Sequence, residues 1–187
     1  PTYNWPRMAE DDYAWWRSRL AKMARYFDAY RIDHILGFFR IWQIPLHSVE
    51  GLLGQFSPAL PMDAAEITAF GLPFHPAFLT PLIPEEYLTE KLGDAVEKAK
   101  LKFLEKQPDG TYHLRAEYAT QRQVEQALQG RNSKKDLQLK QGLYALISNV
   151  LFVADHTDPS KYHPRIGALK DGYFKTLPPQ QQQAFTR

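Results

Sequence analysis

The hydrophobic positions of this chain fall mostly into helical stripes, and the first exception is a short run near residue 30. Tyr13, Trp16, Leu20, Met23 and Phe27 recur at spacings of three and four, which predicts an amphipathic helix with Asp11 and Asp12 at its positive end. Arg17, Arg19, Lys22 and Arg25 take the other positions, where they can reach water. Ahead of this helix, Pro1 to Pro6 (PTYNWP) reads as an aromatic loop. Behind it, Phe27 to Ile32 is short, aromatic and β-branched, as a buried strand should be, and an aromatic-rich exit runs on to Pro45. A helix followed by a strand is half of a βαβ unit, so a parallel α/β sheet or barrel is the first architecture to consider.

Beyond Pro45 the pattern changes. Leu46 to Ser57 carries Gly51 and Gly54 among Leu52, Leu53 and Phe56, which predicts a turn or short helix. Prolines at 58, 61, 73, 76, 81 and 84 predict layered loops, interrupted by one helix near Asp63 to Phe70 with Asp63 as cap. Pro84-Glu85-Glu86 opens a helix that reaches Leu92 and stops at Gly93. Pro108-Asp109-Gly110 marks a turn between hairpin arms near Leu101 to Lys106 and Thr111 to Arg115. Ala119 to Gln129 reads as a helix ended by Gly130, and Ser133 caps another that carries Leu137, Leu139, Leu143, Leu146 and Ile147. Asn149 to Ala154 is strand-like, Asp155 to Gly172 polar and turn-rich, and Leu177 onward a Gln-rich helix. The shift in composition between residues 45 and 60 is the one candidate domain boundary.

Composition narrows the function classes. The 187 residues are 44% hydrophobic, enough for a real core. A net charge of +2, with Lys and Arg dispersed, gives no electrostatic case for nucleic acid. Zero cysteines exclude disulfides, thiolate nucleophiles and Cys-based zinc sites, and suit a reducing, cytoplasmic compartment. No apolar run approaches the roughly 20 residues of a membrane span.

The chemistry gathers at Arg31, Asp33 and His34. On a strand, residues two apart share a face, so Arg31 and Asp33 would emerge together at the strand's C-terminal end, where α/β folds bind ligands. A guanidinium beside a carboxylate keeps it ionised, as the nucleophile of a retaining glycosidase must be. A structural Arg–Asp ion pair explains the same spacing, and spacing alone leaves both readings open. His34 suits a sugar hydroxyl or a place in the core. Trp5, Trp15, Trp16 and Trp42 suit sugar faces or packing; Trp16, on the helix stripe, fits packing, while Trp15 lies beside the stripe. His156 and His163, near Asp155 and Asp158, match no common metal spacing. Glu85 and Glu86 read as helix-terminal acids. No phosphate loop and no serine nucleophile elbow occurs, and no cofactor or metal is implied.

The stretch PTYNWPRMAEDDYAWWRSRL…FDAYRIDHILGFFRIWQIP closely resembles the 4-α-glucanotransferases of glycoside hydrolase family 77, the amylomaltases or disproportionating enzymes. Arg31, Ile32, Asp33, His34, Gly37, Phe38, Trp42, Ile44 and Pro45 match the family's R-I-D-H, G-F and W-x-I-P, and the preceding Y-x-W…Y/F-x-x-W also matches. The resemblance implies a (β/α)8 barrel with this strand as its fourth, Asp33 as nucleophile, Arg31 as its companion and His34 on the sugar where the bond breaks. The implied substrates are α-1,4-glucans and maltodextrins, in starch, glycogen or maltose metabolism. Leu36 and Phe39 depart from the short bacterial members, many of which have an arginine and an acidic residue there. No G-E-D-L-G-like segment with the acid/base glutamate follows Pro45. Both features look like the larger plant-cytosolic type, whose catalytic domain is interrupted by an insertion. The stretches LHSVEGLLGQFSPALP and NVLFVAD…YHPRI look similar to that insertion. The expectation is a fragment. Residues 1–45 would be a barrel helix and strand, and residues 46–187 a mostly helical insertion with a small hairpin. Alone, such a piece should be inactive, with the barrel part packing irregularly or forming a homo-oligomer. Two other readings stand: a helical glucan-binding or protein-interaction module, and an unrelated scaffold with a structural ion pair.

Overall fold

The computed structural model describes residues 3–187; Pro1 and Thr2 of the predicted aromatic loop lie outside the described residues. The chain divides into a small unit, which runs to Ile41 and includes Phe56–Pro58, and a larger one comprising Trp42–Gln55 and Ala59–Arg187.

In the small unit, the predicted aromatic loop forms a helix, α1 (Trp5–Ala9). Asn4 accepts the N–H of Arg7 and Pro6 sits in the first turn, two start signals that the aromatic content of the segment obscured. The next helix, α2 (Ala14–Met23), begins later than its stripe predicts, because Asp12 and Tyr13 adopt left-handed backbone with φ of 53° and 56°. Trp16, Leu20 and Met23 are half-buried, whereas Trp15 is exposed beneath the Arg19 guanidinium. The predicted buried strand at Phe27–Ile32 does not form. Tyr26 is 80% exposed and Phe27 61%, and the run is irregular. A strand needs a neighbour to satisfy its N–H and C=O groups, and among the described residues none pairs with this one. A short helix, α3 (Leu36–Phe39), follows. Tyr3, Trp5, Trp16 and Phe38 form an aromatic cluster with ring centroids 5.0–5.9 Å apart, and this cluster stands in for a core.

Strands β1 (Ile41–Gln43) and β2 (Gln55–Ser57) make a two-stranded sheet. In the larger unit, α4 (Ala64–Ala69) starts with a complete capping box between Asp63 and Glu66. Helix α5 (Glu85–Leu92) ends at Gly93, whose φ of 50° breaks it as predicted. Helix α6 (Val96–Lys102) runs into the first predicted arm and shortens the hairpin to β3 (Leu104–Lys106) and β4 (Tyr112–Leu114), antiparallel. Helix α7 (Gln121–Ala127) is capped by Thr120 and α8 (Lys134–Ile147) by Ser133. Strands β5 (Phe152–Ala154) and β6 (Tyr162–Pro164) pair antiparallel, the second arising within the turn-rich stretch. Helices α9 (Gly172–Thr176) and α10 (Pro179–Phe185) complete the chain.

Two hydrophobic clusters hold this unit. The first joins α5, α6, α7, α8 and the β3–β4 hairpin through Leu88, Leu92, Phe103, Val124, Leu128, Leu143 and Leu146, all fully buried. Each such side chain contributes about 1.5–3 kcal/mol. The second joins α4, β5, α9 and α10 around Ile67, Leu72, Leu151 and Phe152. Buried Asn149 braces the second: its carbonyl and amide engage Leu82, and its side-chain oxygen accepts the N–H of Tyr173 at 3.0 Å. No barrel closes among the described residues; the chain is helix-rich with three two-stranded sheets.

Candidate functional site

Arg31, Asp33 and His34 lie in the irregular connection between α2 and α3. The connection is defined on its downstream side. His34 has φ of 49°, a left-handed conformation that histidine tolerates better than bulkier residues. Its carbonyl accepts the N–H of Gly37 at 2.8 Å, and its ring lies against Gly37, where a Cβ would meet the imidazole Cδ2 at 2.8 Å. Glycine at 37 therefore makes room for this histidine. Phe38, next in the chain, anchors α3 in the aromatic cluster.

The Arg31 guanidinium and the Asp33 carboxylate are 3.5 Å apart, and their side chains are 89% and 90% exposed. The two residues meet as their spacing predicts, without a strand to align them. The exposure bears on the competing structural reading. A solvated pair at that distance is worth about 0–1 kcal/mol and is screened by salt, so it holds little together. A carboxylate left open to solvent beside a guanidinium is available to a substrate.

Other carboxylates and imidazoles of the chain are engaged in its own hydrogen bonds. Glu85 accepts hydrogen bonds from the Tyr112 hydroxyl at 2.8 Å and from Lys100, and these lower its pKa. Glu125 is bonded to the Tyr144 hydroxyl and to Lys140, which likewise lowers its pKa. His163 pairs with buried Asp155 at 2.8 Å, and His156 contacts Gln55. Among the described residues no group of three or more His, Asp or Glu side chains could hold a metal ion, and no helix is long and apolar enough to cross a membrane. Trp42 packs structurally: its indole N–H donates to the Gly51 carbonyl at 3.1 Å, and its ring lies against Gly54.

Sequence reasoning missed two polar networks. One is Asp155 with His163 and the backbone N–H groups of Thr157 and Asp158; the other is Gln121 and Arg122 with residues 46–50. Thr120 and Gln123 form a capping box that could have placed Gln121 in a first helical turn, but nothing local points to its distant partners.

The profile of glycoside hydrolase family 77, the 4-alpha-glucanotransferases, matches residues 1–154, and the chain belongs to that family. It is 36% identical to the 4-alpha-glucanotransferase DPE2 of Oryza sativa subsp. japonica over 182 residues, 95% of this chain and 19% of the rice protein. A 4-alpha-glucanotransferase of Chlamydia pneumoniae is 43% identical over 63 residues, 34% of this chain and 11% of that protein. The chloroplastic/amyloplastic 4-alpha-glucanotransferase of Solanum tuberosum is 34% identical over 73 residues, 38% of this chain and 13% of that protein. The chain thus spans a fifth or less of the length of these relatives. No solved structure matches it.

Proposed function

We propose that this chain carries the nucleophile segment of a 4-α-glucanotransferase, an enzyme that moves α-1,4-glucan segments between maltodextrins or onto glucose. The observation that carries the proposal is the 36% identity to the rice 4-alpha-glucanotransferase over 95% of the chain. In this reading Asp33 attacks the anomeric carbon of the donor, the bond to the leaving 4-oxygen breaks, and a covalent glycosyl-enzyme forms. The 4-hydroxyl of an acceptor glucan then displaces Asp33 and restores the α-linkage. Arg31 binds and orients Asp33, and His34 hydrogen-bonds the sugar at the cleavage point. A retaining mechanism needs a second carboxyl about 5–5.5 Å away. No G-E-D-L-G-like segment follows Pro45 in this chain, so in this reading the acid/base belongs to another part of a (β/α)8 barrel that includes residues 1–45. Alone, the 187-residue chain is inactive.

The comparisons also support an interrupted catalytic domain. The Chlamydia and Solanum proteins match about a third of the chain and the rice protein nearly all of it, which favours reading residues 46–187 as an insertion of the larger type, although the family profile itself runs through residue 154. A cytoplasmic location belongs to the same reading and agrees with the cysteine-free composition. The self-contained clusters of the larger unit favour a second role for that unit, as a glucan-binding or protein-interaction module. Retention of residues 42–187 on immobilised maltodextrin would support glucan binding.

The decisive experiment is Asp33→Asn in the full-length protein, assayed by glucose and longer maltodextrins released from maltotriose. Loss of a covalent nucleophile should lower kcat by at least about 10³-fold while thermal unfolding stays unchanged. Near-normal turnover overturns the assignment.

A further inference from the structure

Residues 46–50 follow directly on the Trp42–Pro45 stretch, and the start of α7 grips them with both main chain and side chains. Gln121 is fully buried, and its Oε1 accepts the N–H of Val49 at 2.8 Å and of Glu50 at 2.9 Å. Its Nε2 donates to Ser148 Oγ at 3.0 Å and to the Tyr144 carbonyl at 3.4 Å, which ties the grip to α8. The neighbouring Arg122 donates its backbone N–H to the His47 carbonyl at 3.0 Å. Its guanidinium reaches the Ser48 carbonyl at 3.2 Å and the Leu46 carbonyl at 3.4 Å. Every residue of the loop is thus held through a main-chain group. Leu46 itself is 92% exposed, so apolar burial does not explain why it is held. These contacts define a path for the backbone.

We infer that Gln121 and Arg122 are positioning residues for the transfer reaction, acting on the downstream end of the segment whose upstream end carries Arg31, Asp33 and His34. The inference rests on the nucleophile reading of Asp33. The run His34–Pro45 is the covalent path from that carboxylate to the gripped loop. A displacement of about 1 Å transmitted from outside the reacting centre can cost about 10²-fold in rate. Gln121 and Arg122 therefore fix the backbone path of residues 46–50, where that covalent path ends.

The test uses the full-length protein, with kcat and KM for maltotriose and the Tm of four variants. Arg122→Leu removes the guanidinium contacts at an exposed position and should lower kcat about 3–10-fold with KM within about twofold, the signature of a misaligned reacting group. Arg122→Lys should recover part of that loss. Gln121→Met keeps the volume, removes every side-chain hydrogen bond, and should lower kcat further. Leu139→Ala opens the core of the same unit without touching the loop, so it should lower Tm and leave kcat unchanged well below the new Tm. The inference fails if Arg122→Leu turns over like Leu139→Ala; this variant decides even if Gln121→Met does not fold. An active Asp33→Asn enzyme would overturn the nucleophile reading instead, and an inactive one beside an unaffected Arg122→Leu overturns positioning alone.

Discussion

At Asp155 burial and hydrogen bonding act in opposite directions. Burial raises its pKa, but His163 and the backbone N–H groups of Asp158 and Thr157 outweigh it and hold the carboxyl well below the usual range. A depressed folded pKa stabilises the protein above the unfolded value of about 4, and that contribution disappears as pH falls toward the folded pKa. Asp155→Asn should therefore destabilise the protein by about 1–3 kcal/mol at pH 7, from the loss of a buried charge-assisted network. The difference from wild type should shrink on acidification below about pH 4, as chemical denaturation at pH 7 and pH 3 would show. Asp155 was visible in the sequence only as a turn residue near two histidines. Its side-chain partner His163 stands on the neighbouring strand β6, and only the pairing of β5 with β6 brings the two together. Asp33 is the reverse case: its companion Arg31 is two residues away, so the pair was legible without knowledge of the fold.

Among the elements, helix starts were the most legible and strands the least. Asp63, Pro84 and Ser133 open the helices they were expected to open, because capping acts over three or four residues. Phe27–Ile32 had the composition of a strand, but a strand forms only when another pairs with it. Helices α5 and α8 show what packing adds. A Cβ on Gly142 would lie 2.5 Å from Leu92 Cδ2 and 2.8 Å from the Lys91 carbonyl, so glycine here permits the close approach of the two helices. Gly142→Ala should lower Tm although alanine favours a helix by about 1 kcal/mol, since overpacking costs about 1–3 kcal/mol or more. Gly130 has φ of 77° and nothing within 4 Å of an added Cβ, so Gly130→Ala should cost only the backbone strain of about 1–2 kcal/mol. Thermal unfolding of both variants would separate steric from conformational demand.

Over the whole molecule, the shift in composition fell between residues 45 and 60, whereas the larger unit already claims Trp42–Gln55. That unit contains both hydrophobic clusters and the partners of Gln121. Residues 42–187 should unfold cooperatively. A version beginning at residue 58 should be less stable by about 1–3 kcal/mol, because buried Gln121 loses two bonded N–H groups. Circular dichroism melts of the two would check this, and equal stability would count against the assignment of Trp42–Gln55 to the unit.

The sequence by itself determined what acts locally or as a fixed string: the helix caps, the PDG hairpin, and the R-I-D-H and W-x-I-P residues that mark the family. Tertiary structure decided which main-chain groups Gln121 and Arg122 would hold, that Gly142 lies where two helices touch, and that residues 27–32 stay irregular. Caps and turns are satisfied within a few residues of themselves. A buried amide 72 residues from the N–H it accepts, or a strand awaiting a neighbour, is satisfied only by what packing brings to it.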